Sequence, residues 1–104
     1  MPSADEGLSL VLVEAGACGC IPIAADVGGM PEVLESLGQQ LIVRDSSIES
    51  WSTRLHTHLT YDTTETARLR KRIREGLTSR FDATRQWARM MACIEVVMRM
   101  PQRV

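Results

Sequence analysis

Cysteine is scarce and odd in number, with three in 104 residues. That excludes a disulfide scaffold and fits reduced thiols in a cytosolic protein. Neither sign of charge dominates. Twelve Lys and Arg against thirteen Asp and Glu leave a formal net charge of −1, so there is no overall electrostatic pull toward nucleic acid or anionic lipid. Long apolar runs are also lacking. The longest uncharged, mostly apolar stretch, Ala15 to Ala25, is bounded by Glu14 and Asp26 and is too short to span a bilayer. The opening Met1-Pro2-Ser3-Ala4-Asp5-Glu6-Gly7 has neither the charged start nor the apolar centre expected of a signal peptide. Repeats, low-complexity tracts and a linker long enough to divide two domains are absent too. What remains is globular material, 44% hydrophobic and 24% charged, which is too apolar for a disordered chain. A chain this short is one domain at most, burying roughly 60–70% of its unfolded surface, and is small for an enzyme with two substrates.

The pattern along the chain divides near residue 45. Residues 1–7 are polar and turn-rich. Leu8 to Cys18, with its small residues and the stop at Gly19, predicts a helix buried on most sides. Pro22-Ile23-Ala24-Ala25 suits an inner strand of a parallel sheet. Gly28-Gly29 marks a loop, and Pro31 suits the first turn of a short helix through Leu37. Gln40-Leu41-Ile42-Val43 is a second strand candidate. This helix–strand order is half of a doubly wound α/β domain. After Asp45 the pattern is purely helical. Ser46 with Glu49 predicts a capping box, followed by Ile48, Trp51, Leu55 and Leu59 on one face. Asp62 with Glu65 starts a second helix carrying Leu69, Ile73 and Leu77. Asp82 is the predicted N-cap of a third, whose Trp87, Met90, Met91, Ile94, Val97 and Met98 form one stripe ended by Pro101.

One segment carries chemistry. Glu6 and Glu14 stand eight positions apart, slightly more than two helical turns, so both can reach one side at different depths. Between them lies a helix N-terminus with backbone N–H donors and a positive dipole end. Such an arrangement suits an anion such as phosphate, with carboxylates accepting from nearby sugar or ribose hydroxyls. By spacing alone, a helix cap plus a surface acid is the plainer reading.

The surrounding residues change that weighting. Pro2-Ser3, Glu6-Gly7-Leu8, Leu10-Val11-Leu12, Glu14-Ala15, Ala17-Cys18-Gly19, Pro22-Ile23-Ala24 and Asp26-Val27-Gly28-Gly29-Met30-Pro31-Glu32-Val33 follow in order. Together they resemble the donor-site segment of retaining GT-B glycosyltransferases, the large family 4 set (glycosyl transferases group 1). That family's Glu-x7-Glu motif, its Ala-Cys-Gly segment before a Pro-led strand and its Gly-Gly-x-Pro-Glu turn all have counterparts within residues 2–34. The later Leu41-Ile42-Val43 and Arg80-Phe81-Asp82 are similar to the family's ending, with less specificity. The resemblance implies that Glu6 accepts from hydroxyls of the transferred sugar, as a donor-positioning and candidate catalytic residue. It implies that backbone N–H groups around Gly7, Leu8, Ser9 and Leu10 face the sugar, those near Leu10 and Val11 the diphosphate, and that Glu14 holds the ribose. Ser9 stands where the family often has Gly or Pro, Gly16 where it commonly has Met, and Gly19-Cys20-Ile21-Pro22 is one residue longer than the usual turn.

Other candidates have plainer readings. Cys18 and Cys20 lack a second pair at ligand spacing, and Cys93 is remote, so all three are expected to pack as small buried groups, with no metal site. His56 and His58, two apart on a helix, point to different sides and read as surface histidines. Arg68, Arg70, Lys71, Arg72 and Arg74 spread around their helix and read as a solvated face, with a peripheral anionic-membrane contact as the alternative. The final Met-rich stripe reads as core or domain-docking surface.

The expectation is thus an α/β, partial Rossmann-like GT-B C-terminal domain with short parallel strands and trailing helices. It would be the C-terminal half of a nucleotide-sugar-binding domain, with residues 1–45 as the donor-site part and 46–104 as the helical part. The complete enzyme would move a sugar from a nucleotide-sugar donor to a hydroxyl acceptor (glycan, lipid-linked or small molecule), needing no metal and binding no nucleic acid. Its basic diphosphate pair, base-binding loop and N-terminal acceptor domain would lie upstream, leaving the isolated chain inactive. A cytoplasmic location, with peripheral contact at the inner membrane surface, goes with this reading. A sugar-nucleotide epimerase of the same fold and a non-enzymatic helical interaction module are the alternatives.

Overall fold

A computed structural model describes residues 1–5 and 7–101. Its elements are α1 (Leu10–Ala17), β1 (Ala24–Ala25), α2 (Met30–Leu34), a 3-10 turn (Gln39–Leu41), β2 (Ile42–Val43), α3 (Ile48–Leu59), α4 (Thr63–Arg80) and α5 (Ala83–Arg99). The two strands are parallel, with Ala24 opposite Ile42 and Ala25 opposite Val43. All four strand residues are buried, as expected of parallel strands covered on both faces. Each is only two residues long, shorter than the apolar runs around it. On the other side of β1, Met1 pairs through its backbone: its amine donates to the Ile23 carbonyl and its carbonyl accepts from Ala25 N–H.

Local chemistry explains the helix starts. Ser9 caps α1 by accepting from Leu12 N–H, and Asp82 caps α5 by accepting from Arg85 N–H. Asp62 and Glu65 form the expected capping box at α4. The start of α3 differs from expectation. Its N-cap is Ser47, not Ser46, and its partner is Ser50 N–H, not a group on Glu49. Asp45 decides this, because its carboxylate accepts from Ser47 N–H, Ser47 Oγ and Ser50 Oγ, and so closes the turn one residue later than the Ser-x-x-Glu pattern suggests.

The core is the meeting of α4 with everything before α3. Leu69, Ile73 and Leu77 are at most 5% exposed. They cluster with Leu12 and Val13 of α1, Met30, Val33 and Leu34 of α2, Leu37, Ala24, Leu41 and Ile42. Gly16 makes the α1–α4 approach close: a Cβ there would overlap Leu77 Cδ1 and lie 3.1 Å from Ile73 Cγ2. The lack of a side chain at Gly16 therefore has a packing cause. Gly76 plays the same part on α4, where a Cβ would overlap Leu37 Cδ2.

Several burial expectations are corrected. α1 is buried on one side only, with Leu10 and Val11 about two-thirds exposed. α3 and α5 bury no residue fully. Ile48 and Leu59 of α3 lie open; the Trp87–Met98 stripe is exposed too, which removes its reading as core and leaves that as a docking surface. All three cysteines are exposed and free, against the expectation of buried thiols. The common reason is geometric. The radius of gyration is 17.5 Å, against about 13 Å for a compact chain of this length. Helices that project from so elongated a body have no neighbour to cover their apolar faces. No described helix is long and apolar enough to cross a membrane.

Candidate functional site

The segment singled out by its paired acids is the entry to α1. Glu6 lies outside the described residues. Gly7 is anchored, its carbonyl accepting from Gly29 N–H at 3.1 Å. The Gly28-Gly29 turn thus lies against the start of α1. Gly29 permits the contact, since a Cβ there would stand 3.3 Å from the Gly7 carbonyl oxygen and 3.6 Å from Leu8 Cα. The turn leads into α2, whose first helical positions include Pro31, so the turn reading of the two glycines and the close approach coexist.

Ser9 is buried, at 7% exposure. Its hydroxyl accepts from Leu12 N–H at 3.4 Å and donates to Met1 Sδ at 3.2 Å. The side chain is therefore occupied as a cap, and only its backbone is available to a ligand. Leu12 N–H is taken by that cap, and Val13 N–H bonds to the Ser9 carbonyl. The N–H groups of Leu10 and Val11 belong to the first turn, where a helix offers no intrahelical acceptor. The side chains of Leu8, Leu10 and Val11 around them are exposed. Glu14 is exposed and lies four residues after Leu10, one turn along the same face. First-turn donors at a positive helix end, with a carboxylate one turn along, can receive a phosphate and a hydroxyl pair side by side. The structure therefore leaves Gly7, Leu8, Leu10, Val11 and Glu14 exposed around the start of α1 and turns the Ser9 side chain inward.

Arg44 ties the neighbouring elements together, a link the sequence reading missed. One guanidinium nitrogen donates to Asp26 Oδ2 at 2.8 Å, the other to Gln39 Oε1 at 2.8 Å and Glu35 Oε1 at 3.2 Å. The group is exposed, so its contribution to stability is small. Its partners are separated by loops, so no helical spacing reveals it. His56 is exposed, whereas the half-buried His58 donates from Nδ1–H to the Arg54 carbonyl at 2.8 Å, with its ring 5.1 Å from that of Tyr61. They face different surroundings, as their spacing predicts. No group of three or more potential metal ligands occurs among the described residues. A separate groove of about 880 Å³ opens at the far end of α1, beside Cys18 and Gly19, and is walled by α4 and the start of α5.

Comparison with known proteins places these features in a family context. The family model for glycosyl transferases group 1 matches residues 1–76. The D-inositol 3-phosphate glycosyltransferase of Jonesia denitrificans is 42% identical over 52 residues, which is 50% of this chain and 12% of that protein. The protein of the same name from Rhodococcus erythropolis is 38% identical over 63 residues, 61% of this chain and 14% of its own length. That from Rhodococcus opacus is 40% identical over 57 residues, 55% and 13% respectively. The matched segment spans only 12–14% of the length of these relatives. No solved structure matches.

Proposed function

This chain belongs to the glycosyl transferases group 1 family, and from that premise we propose that it supplies the nucleotide-sugar donor site of a retaining, family 4 transferase with a GT-B, Rossmann-like donor domain. In this reading the first turn of α1 receives the donor diphosphate, through the backbone N–H groups of Leu10 and Val11. Gly7, Leu8 and Ser9 present backbone to the sugar. Glu14 accepts hydrogen bonds from the ribose diol, and Glu6 positions the transferred sugar. The acceptor is a hydroxyl compound, bound largely by residues outside this chain. No side chain here is required as a nucleophile or as a metal ligand. The chemistry assigned to these residues is binding and orientation, with the donor's own phosphate assisting the acceptor hydroxyl.

The observation that carries the reading is the open face of α1. Leu8, Leu10 and Val11 are 49–67% exposed beside first-turn backbone donors, and Glu14 stands one turn below. Exposed apolar residues around a helix start suit the edge of a bound nucleotide sugar. The test is saturation-transfer NMR of the 104-residue chain with a nucleotide sugar, sensitive enough for the weak binding expected of this part alone. Transfer to the ribose protons should appear, should disappear in Glu14→Ala, and should persist in Glu95→Ala on α5. Undiminished transfer in Glu14→Ala removes the assignment. In a complete transferase carrying this segment, Glu14→Ala should weaken donor binding by about 1–3 kcal/mol. The isolated chain should show no turnover.

A further inference from the structure

At the end of α1 opposite the proposed donor face, Cys18 and Gly19 border the groove of about 880 Å³ whose other walls are α4 and the start of α5. Four cations line it: Arg70, Lys71, Arg74 and Arg85. The basic run of α4 is therefore divided by the fold. Arg70 and Arg74 share a face one turn apart, Lys71 stands at its edge, and Arg85 closes the groove from α5. Arg68 and Arg72 lie roughly half a turn round the helix from Arg70 and do not line this groove.

The groove's two acids, Glu75 and Asp82, each have a partner, and its four cations still outnumber them. Glu75 is 3.9 Å from Lys71 Nζ, and Asp82 accepts from Arg85 N–H as the cap of α5. Arg70 and Arg74 make no ion pair among the described residues. Like charges one helical turn apart repel each other, and a shared anion relieves that repulsion. Opposite them, Gly19 adopts φ +94°, with nothing within 4 Å of the position its Cβ would take, so a ligand can reach the backbone there. Guanidinium groups bind phosphate oxygens in paired hydrogen bonds, and the volume suits an organic phosphate better than a bare ion.

We infer that this groove is a second anion site, which binds the phosphate group of a phosphorylated compound between Arg70, Arg74 and Arg85. It lies about 12 Å along α1 from the first turn and does not depend on the donor-site assignment. The phosphate can belong to a soluble metabolite or to a lipid headgroup, and the two sources are separable by experiment.

The test titrates the 104-residue chain with inorganic pyrophosphate and follows backbone amide shifts. Amides at Gly19, Thr78 and Arg85 should move, binding should weaken as salt is raised, and Arg70→Gln/Arg74→Gln should weaken it about tenfold or more. Arg89→Gln, outside the groove, should leave it unchanged. A second arm sediments the chain with phosphatidylglycerol or phosphatidylcholine vesicles. Retention on the anionic vesicles that is lost in the double variant assigns the phosphate to a headgroup. Pyrophosphate binding without vesicle retention assigns it to a soluble compound. Shifts confined to Gly7–Val11, affinity indifferent to the double substitution, or no binding to either probe would each overturn the site.

Discussion

Gly16→Ala offers the sharpest test of how α1 and α4 are joined. Alanine is the better helix former, and within a helix the exchange is worth up to about 1 kcal/mol in its favour; near the end of α1 the gain is smaller. The structure opposes it. The new Cβ would overlap Leu77 Cδ1 and stand 3.1 Å from Ile73 Cγ2. Leu77 is 1% exposed and Ile73 0%, so neither side chain can swing into solvent, and the β-branched Ile73 has few rotamers to choose from. Overpacking of this kind costs about 1–3 kcal/mol. The net expectation is destabilisation by about 0.5–2 kcal/mol, a fall in melting temperature of several degrees for a domain of this size. Leu77→Val removes the obstructing carbon, at about 1 kcal/mol on its own. In that background Gly16→Ala should cost much less or turn neutral, because the propensity gain remains, the overlap with Leu77 is gone and only the 3.1 Å approach to Ile73 Cγ2 is left. Urea unfolding followed by far-ultraviolet circular dichroism gives all four corners of the cycle, with an expected coupling of about 1–2 kcal/mol. A stabilising Gly16→Ala in the native background would refute the packing argument. So would an equal cost in both backgrounds.

Asp62→Ala removes the side-chain half of the α4 capping box, the bond from Glu65 N–H, and leaves the backbone N–H of residue 62 to donate to Glu65; it should cost about 0.5–2 kcal/mol in the same unfolding assay, with Asp62→Ser recovering most of the loss. Hydrogen bonds from the Ser47 hydroxyl, the Ser47 N–H and the Ser50 hydroxyl hold the Asp45 carboxyl below its ordinary value. A group with a depressed folded pKa stabilises the fold above its unfolded pKa and loses that contribution as pH falls through the folded one. The start of α3 should therefore loosen only in acid below the ordinary carboxylate range, read as amide exchange at Ser47 and Ser50; loosening near neutrality would contradict the assignment. Trp87 is 61% exposed on a helix with no buried residue, so Trp87→Ala should shift stability by less than about 0.5 kcal/mol. A larger loss would mean that the α5 stripe is covered by the rest of the chain.

Much of the framework was legible because it is local. The Asp62–Glu65 box, the Asp82 cap, the Leu69-Ile73-Leu77 stripe and the Pro31 helix start each depend on residues within a turn or two of one another. The α1 segment was legible for another reason, a run of small, acidic and glycine residues in family order. The Ser46–Glu49 pattern misled because Asp45, one position earlier, competes for the same turn. The two-residue strands are shorter than their apolar runs, since strand pairing needs a partner whose length no single segment records. The Arg44 links to Asp26, Glu35 and Gln39 were invisible for the same reason, as they join separate elements.

By itself, then, the order of residues determined where α4 and α5 start, which side of α4 is apolar, and that the chain carries a transferase-like segment ahead of its long helices. These follow from hydrogen bonds and side-chain periodicities spanning a few residues. Tertiary structure alone decided that Gly16 and Gly76 are points of contact, that Ser9 turns inward while Leu10, Val11 and Glu14 stay open, and that five basic residues of α4 part into a groove-facing set and a remainder. It also left the cysteines and the Trp87–Met98 stripe exposed, although their hydrophobicity alone favours burial. Burial requires a neighbour as well as an apolar side chain, and a body 60 Å long and 18 Å thin has few to offer.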